Sequence, residues 1–378
     1  MKTRYECLAR DGDARRGRFS VRSGVFETPT FMPVGTRASV KGVDVERLSD
    51  CGASVMLVNT YHLWLRPGEE RIHRLGGIHK FTGWKGPILS DSGGFQIFSL
   101  KGIRNISEAG VEFRSHLDGS KRFLSPEVSV GVQEKLGVDI AMALDECPSS
   151  TLDKKKLDIS LDMTIRWAAR SLEARADDSM CLFGITQGGC HKDLRTKSAE
   201  AICRMDFDGF AIGGLSVGEP KEAMYGVLEY HANQLPSSHI RYLMGVGTPE
   251  DIVEAVSRGV DIFDCVMPTR SGRFGRIFVN SNPPFFNIKN SQFSEDLQPL
   301  DPTCTCFACR TYSRAYVHHL FKVGEMLGPQ LASIHNLTHY LTLMSDIREA
   351  IETETFQRVY QLVKERWKNH DFHAKKSS

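Results

Sequence analysis

Eight short apolar runs punctuate the first 264 residues, at 29–34, 54–58, 86–89, 139–144, 180–185, 209–212, 241–244 and 261–263. Their apolarity is continuous rather than alternating, which suits parallel strands buried on both faces. Helical periods fill the gaps. Val128, Val132 and Leu136 recur at four-residue steps; Leu161, Ile165, Ala168 and Leu172 share one face, as do Leu194, Ser198, Ala201 and Met205. A short helix is expected over 251–259, after Pro249. Strands alternating with helices at this count specify an α/β chain, a (β/α)8 TIM barrel. A doubly wound open sheet is the competing arrangement, but no glycine-rich dinucleotide turn follows the first run.

If the chain is a barrel, its chemistry belongs at the C-terminal ends of the strands. Those ends are polar and glycine-rich. The third run leads into Ser90-Asp91-Ser92-Gly93-Gly94-Phe95-Gln96, the fourth into Asp145-Glu146-Cys147, and the fifth into Thr186-Gln187-Gly188-Gly189. The sixth leads into Gly213-Gly214-Leu215-Ser216-Val217-Gly218-Glu219, the seventh into Gly245-Val246-Gly247, and the eighth into Asp264-Cys265-Val266-Met267-Pro268. Taken singly, Asp91 or Asp145 could cap the helix that follows it. Taken together, Asp91, Asp145 and Asp264 converge on one mouth with Gln187. Two opposed carboxylates suit chemistry at an anomeric carbon, one attacking and one shuttling the leaving-group proton. An aspartate and a glutamine beside them can read the edge of a flat heterocycle.

Charge narrows the partners. The net charge is +2, so the whole surface does not gather a polyanion. An RNA contact would have to be local, and Thr269-Arg270-Ser271-Gly272-Arg273-Phe274-Gly275-Arg276 offers one. Glycines between arginines let backbone approach a phosphate or an unstacked base; alone, the segment also reads as a solvated basic loop. No apolar run is long enough for a membrane span, and the N-terminus lacks a signal-peptide core. Most of the ten cysteines are scattered, as reduced cytosolic thiols are, so a cytoplasmic location is expected.

The exception is Cys304, Cys306 and Cys309. With His335, 26 positions beyond Cys309, they make a closed tetrahedral set suited to one structural Zn2+. His339 is the alternative fourth ligand. After Arg276 the texture turns to prolines and asparagines, and a helical period returns from Ser345, with Phe356, Val359, Tyr360, Val363 and Trp367 on one stripe. The expected division is a barrel body at 1–276, a zinc-binding subdomain at 277–344, and a last barrel helix with its tail at 345–378.

These motifs, together with Leu144-Asp145-Glu146-Cys147, Ile212-Gly213-Gly214-Leu215 and Phe263-Asp264-Cys265-Val266-Met267-Pro268-Thr269-Arg270-Ser271-Gly272-Arg273, resemble the bacterial tRNA-guanine transglycosylases from about Gly17 to Trp367. The resemblance implies exchange of the wobble guanine for 7-aminomethyl-7-deazaguanine, in tRNAs for aspartate, asparagine, histidine and tyrosine. It implies Asp264 as nucleophile and Asp91 as general acid/base. Ser92, Gly93, Gly94, Asp145, Gln187, Gly214 and Leu215 would bind the base, and Phe95 and Met244 would sandwich it. Arg270 and Arg273, with Thr269, Ser271 and Gly272, would hold the uridines flanking the guanine. Gly245, Val246, Gly247, Thr248, Pro249, Glu250 and Asp251 would form a further RNA-contacting turn. No nucleotide cofactor is implied, because one glycosidic bond replaces another.

The resemblance also implies a homodimer, with Tyr312, Tyr316 and His319 at an aromatic interface. Ser216 stands where bacterial members often carry alanine, and Phe95 where some carry tyrosine. Cys147 and Val217 are of the bulky bacterial type, whereas enzymes that admit the larger base queuine differ there. Two other readings share parts of this pattern. A retaining glycosidase would have the carboxylates but no use for Gln187 or the arginine segment. A noncatalytic tRNA-binding subunit would lack Asp264.

Overall fold

The computed structural model describes residues 4–98, 104–149, 152–368 and 370. All eight expected runs form parallel strands: β1 (Thr30–Met32 and Val34–Gly35), β2 (Met56–Val58), β3 (Ile88–Ser90), β4 (Ile140–Met142), β5 (Cys181–Thr186), β6 (Gly209–Ile212), β7 (Ile240–Leu243) and β8 (Ile262–Asp264). Pro33 divides β1 because it has no N–H to give the ladder; its carbonyl still accepts from Leu57 N at 3.0 Å. One half of β1 pairs β8 through Phe263↔Phe31, the other pairs β2 through Val34↔Leu57, and the ring closes there.

The helices follow their sequence signals. Helix α1 (Pro126–Leu136) begins where Ser125 accepts from Val128 N, has proline in its first turn, and ends at Gly137 in the left-handed region. From it the buried Gln133 takes a hydrogen bond from Ser90 Oγ at 2.7 Å and one from Met142 N at 2.9 Å, fixing the ends of β3 and β4 against each other. Helices α2 (Lys154–Ala174) and α3 (Lys192–Ile202) lie where the periodicity places them. Helix α4 (Pro249–Val256) starts at a Thr248 cap.

Among the described residues, two three-stranded sheets and a later hairpin lie outside the expected pattern. An antiparallel meander (Tyr5–Asp11, Ala14–Val21, Gly24–Thr28) sends Phe19 and Phe26 into the barrel interior, where Phe19 meets Phe183 edge-on at 5.6 Å. Below them Arg15 and Asp261 form a fully buried ion pair, and Asp261 also accepts from Tyr5 Oη and Arg241 N. Satisfying every lone pair is what makes such a buried charge tolerable. This plug seals the N-terminal end and leaves the C-terminal end for the site. A second small sheet (Arg104–Ser107, Gly110–Arg114, Lys121–Leu124) sits between β3 and α1.

The helical stretch expected from Ser345 begins earlier. After α5 (Met267–Arg273), a hairpin (Arg276–Phe278 with Phe285–Asn287) and the cysteine segment, α6 runs unbroken over Leu327–Glu352, and α7 covers Phe356–Trp367. Helix α6 buries every residue from Leu331 to Leu337, so it has no single apolar stripe to announce it. Positions 371–378 of the expected tail lie outside the described residues.

Candidate active site

Asp91 is the first residue beyond β3. Its carboxylate accepts from Asn59 Nδ2 at 2.5 Å, Thr60 N at 2.8 Å and Gln96 Nε2 at 2.7 Å. Burial pushes its carboxyl up to about 6, against the pull of those three donors, and the charge of Asp264 adds to the rise. The carboxylate therefore caps the helix that begins at Thr60, after the neighbouring strand β2, and also holds the Gln96 side chain of the segment that follows it in sequence.

Asp264 closes β8. Tyr242 Oη donates to its Oδ1 at 2.6 Å and Gly245 N donates to the same atom at 2.8 Å. Burial holds this carboxyl above the ordinary carboxylate range, while the two donors pull it down. Tyr242 itself is held well above its usual value by burial and by the adjacent carboxylate, so it remains a neutral donor. Asp145 accepts from Gln187 Nε2 at 2.7 Å, and burial pushes it up to about 6. A methyl on Gly214 would collide with the Gln187 carboxamide, so this glycine, at φ +65°, is what lets the β6 loop lie against Gln187.

All three carboxylates line one cavity of about 420 Å3, with Gln187, Gly214, Leu215, Met244 and Phe95 on its wall. Phe95 is 56% exposed at the rim. Ser92 is buried, its Oγ accepting from Gly94 N, and supports the turn from beneath. Cys147 and Val217 narrow the same cavity. Glu219 accepts from the backbone N–H groups of Ser216 and Val217, and Ser216 adopts φ +59°.

A second cavity, about 480 Å3, continues from the first through Ser216, Gly245, Cys265 and Val266. It brings Gly245, Gly247, Asp251, Arg270 and Ser271 together. Val246, Thr248, Pro249, Thr269 and Gly272 are buried, so they shape its wall from behind. Glu250 is engaged by Lys221 and Lys364, each at 2.9 Å.

Sequence reasoning passed over several groups. Asn59 and Tyr242 orient the two acids from inside apolar-looking stretches. Arg195, fully buried, donates to Gly189 O and Gly213 O at 2.8 Å each and ties the β5 and β6 loops together. Phe274 is 65% exposed and lines the second cavity beside Arg276 and Asn287. The exposed aromatic within a glycine-arginine segment was the available signal for Phe274; the others carry none in sequence.

The ligand atoms of Cys304, Cys306, Cys309 and His335 lie within 4.8 Å of one another. His335 Nδ1 faces Cys309 Sγ at 3.2 Å and Cys306 Sγ at 3.7 Å, and its Nε2 donates to Phe278 O at 2.7 Å. That outer hydrogen bond fixes the tautomer with Nδ1 free to ligate. These residues fit a metal ion. His339 instead stacks on Phe278 with a 16° interplanar angle.

A (β/α)8 barrel with acids gathered at its strand ends and a cysteine-histidine metal set is an enzyme architecture, and the comparisons with known proteins give its reaction class. The chain belongs to the queuine tRNA-ribosyltransferase family, whose model matches residues 10–369, and is a pentosyltransferase. It is 54% identical to the queuine tRNA-ribosyltransferase of Pseudomonas aeruginosa over 351 residues, 93% of this chain and 94% of that protein. The Dinoroseobacter shibae protein of that name is 53% identical over 350 residues, 92% and 93% of the two chains, and the Symbiobacterium thermophilum protein 51% identical over 370 residues, 97% and 92%. No helix among the described residues is long and apolar enough to cross a membrane.

Proposed function

We propose that the chain exchanges the wobble guanine of tRNA for 7-aminomethyl-7-deazaguanine through a covalent intermediate on Asp264. The observation that carries this reading is the single cavity into which Asp91, Asp264 and the Asp145–Gln187 pair all open. Asp264 attacks C1′ of the ribose, and the glycosidic bond breaks with its electron pair leaving on guanine. The Asp91 carboxyl gives the departing base its proton. The incoming base then returns a ring N–H proton to the Asp91 carboxylate as its nitrogen displaces Asp264 from C1′. Two inversions retain the configuration. Asp145, Gln187 and the backbone at Gly214 and Leu215 read the polar edge of the base, between Phe95 and Met244.

The second cavity takes the flanking RNA, with Arg270 on its wall and Arg273 in the same segment holding the uridines that flank the guanine. The metal is zinc, because three thiolates and an imidazole suit it over hard cations. It would hold the cysteine turn against α6, within a subdomain at 277–344 between the barrel body and the last helix. Tyr312 and Tyr316, stacked at 5.2 Å, anchor a homodimer, and the enzyme works in the cytoplasm.

The glycosidase reading leaves Gln187 and the arginine segment without a role. Base choice is assigned to Cys147 and Val217, which line the same cavity. With tRNA carrying labelled guanine, release is expected with 7-aminomethyl-7-deazaguanine and much slower release with queuine. Faster release with queuine overturns the base assignment, and release with neither overturns the exchange itself. Tyr242→Phe tests the geometry around Asp264. Removing a donor to the carboxylate raises its pKa, so the acid limb of the kcat/KM profile is expected to move to higher pH; an unmoved limb would separate Tyr242 from the reaction.

A further inference from the structure

Helix α6 carries the metal ligand His335, and the next residue along it, Asn336, bonds the backbone N–H of the same Phe278 whose carbonyl accepts from His335. Asn336 is fully buried. Its Nδ2 donates to Pro268 O at 3.0 Å and to Arg276 O at 2.9 Å, and its Oδ1 accepts from Phe278 N at 3.0 Å. Both donors of the carboxamide are therefore used, together with an acceptor site. Pro268 and Arg276 bracket the segment that carries Arg270 and Arg273, so one side chain staples that segment at both ends.

Contacts along the same helix act in concert. Gly272 lies so close to α6 that a Cβ there would come within 2.9 Å of the Ala332 carbonyl carbon and Ser333 N. Tyr340, farther along α6, donates to Gly247 O at 2.5 Å, in the turn whose Gly245 N holds Asp264. Meanwhile Arg273 Nη1 is buried without a hydrogen-bond partner among the described residues. A buried donor left without an acceptor is costly, and that cost is removed when a bound molecule or a shift of the segment supplies one.

We propose that Asn336 is a positioning residue: it docks the arginine segment on the metal-bearing helix and so sets affinity for the RNA strand, without serving the metal or the chemistry. The inference rests on the RNA-exchange reading above. Buried carboxamide bonds that fix a segment's pose are felt by the ligand which that segment grips, and a tenfold change in binding is the scale of losing one or two of them.

The test is steady-state exchange by Asn336→Ala in the full chain, with metal content measured on the same preparation. The expected result is a KM for tRNA raised about tenfold, with kcat, KM for the free base and metal stoichiometry close to those of the unaltered protein. Metal loss in proportion to the lost activity would make Asn336 a support of the metal site and overturn the proposal. An unchanged KM for tRNA with metal in place would overturn it too. If Asn336→Ala does not fold, Gly272→Ala decides: it pushes the same segment off α6 about one turn earlier on the same helix face, and an unchanged KM for tRNA there ends the idea. Absence of exchange in the unaltered protein would instead count against the proposed function.

Discussion

Asp264→Asn is expected to release no guanine above background and to form no denaturation-resistant adduct with tRNA, whereas the unaltered protein forms one. The substitution keeps shape and keeps an oxygen for Tyr242 Oη and Gly245 N, the two donors at Oδ1. What it removes is the anionic lone pair that would bond to C1′. Removing a covalent nucleophile can cost on the order of 10⁶-fold, so the exchange rate should fall toward background. Binding should survive, because the second cavity and Arg270 are untouched. Folding should survive as well, since burial already disfavours the charged form of this carboxyl. A variant that trapped tRNA as well as the unaltered protein would place the nucleophile elsewhere. An unaltered protein that bound tRNA but never trapped it would favour the noncatalytic reading.

The barrel was legible because its strands are buried on both faces, and a run such as 180–185 can serve little else. The polar strand ends were legible for the same reason: Asp91, Asp145 and Asp264 each interrupt or end an apolar run. The N-terminal meander was harder to see. Its outer strands alternate between buried and exposed positions, and basic residues interrupt them, so Tyr5, Phe19 and Phe26 do not stand out as a core. Asp11-Gly12 at its first turn was the signal to follow. Helix α6 was hidden by the opposite cause, burial on all sides. Tyr242 shows a third limit: within an apolar run it reads as one more core aromatic, and only the placement of its hydroxyl on Asp264 gives it a role. Residues that touch the reacting centre announced themselves by type; residues that hold them did not, because holding depends on distances that sequence does not carry.

Asp91→Asn is the second large loss expected, with a pH signature that separates it from the first. The proposed cycle needs Asp91 protonated when guanine departs and ionised when the new base arrives, while Asp264 must be ionised at the start. Burial pushes Asp91 up to about 6 and lifts Asp264 as well. Two interacting acids titrate as a pair, and the competent form holds one proton between them. In single-turnover guanine release, the rate should therefore rise as Asp264 ionises and fall above about pH 6 as the Asp91 proton is lost. Asp91→Asn has no proton to give, so release should drop by roughly 10²- to 10⁴-fold and the alkaline limb should vanish. Stability should move the other way. A carboxyl raised from 3.8 to about 6 in the folded state favours folding at low pH and loses that advantage as pH rises through about 6. At neutral pH the unaltered protein thus carries a buried charge that the amide does not. The carboxamides of Asn59 and Gln96 can turn over to accept from the new N–H. The variant should then melt higher than the unaltered protein at pH 7.5, with the gap closing below about pH 4. A slow variant with no gain in melting temperature would mean that the site tolerates the Asp91 charge without cost, and an alkaline limb that persists in the variant would assign the leaving-group proton to another residue.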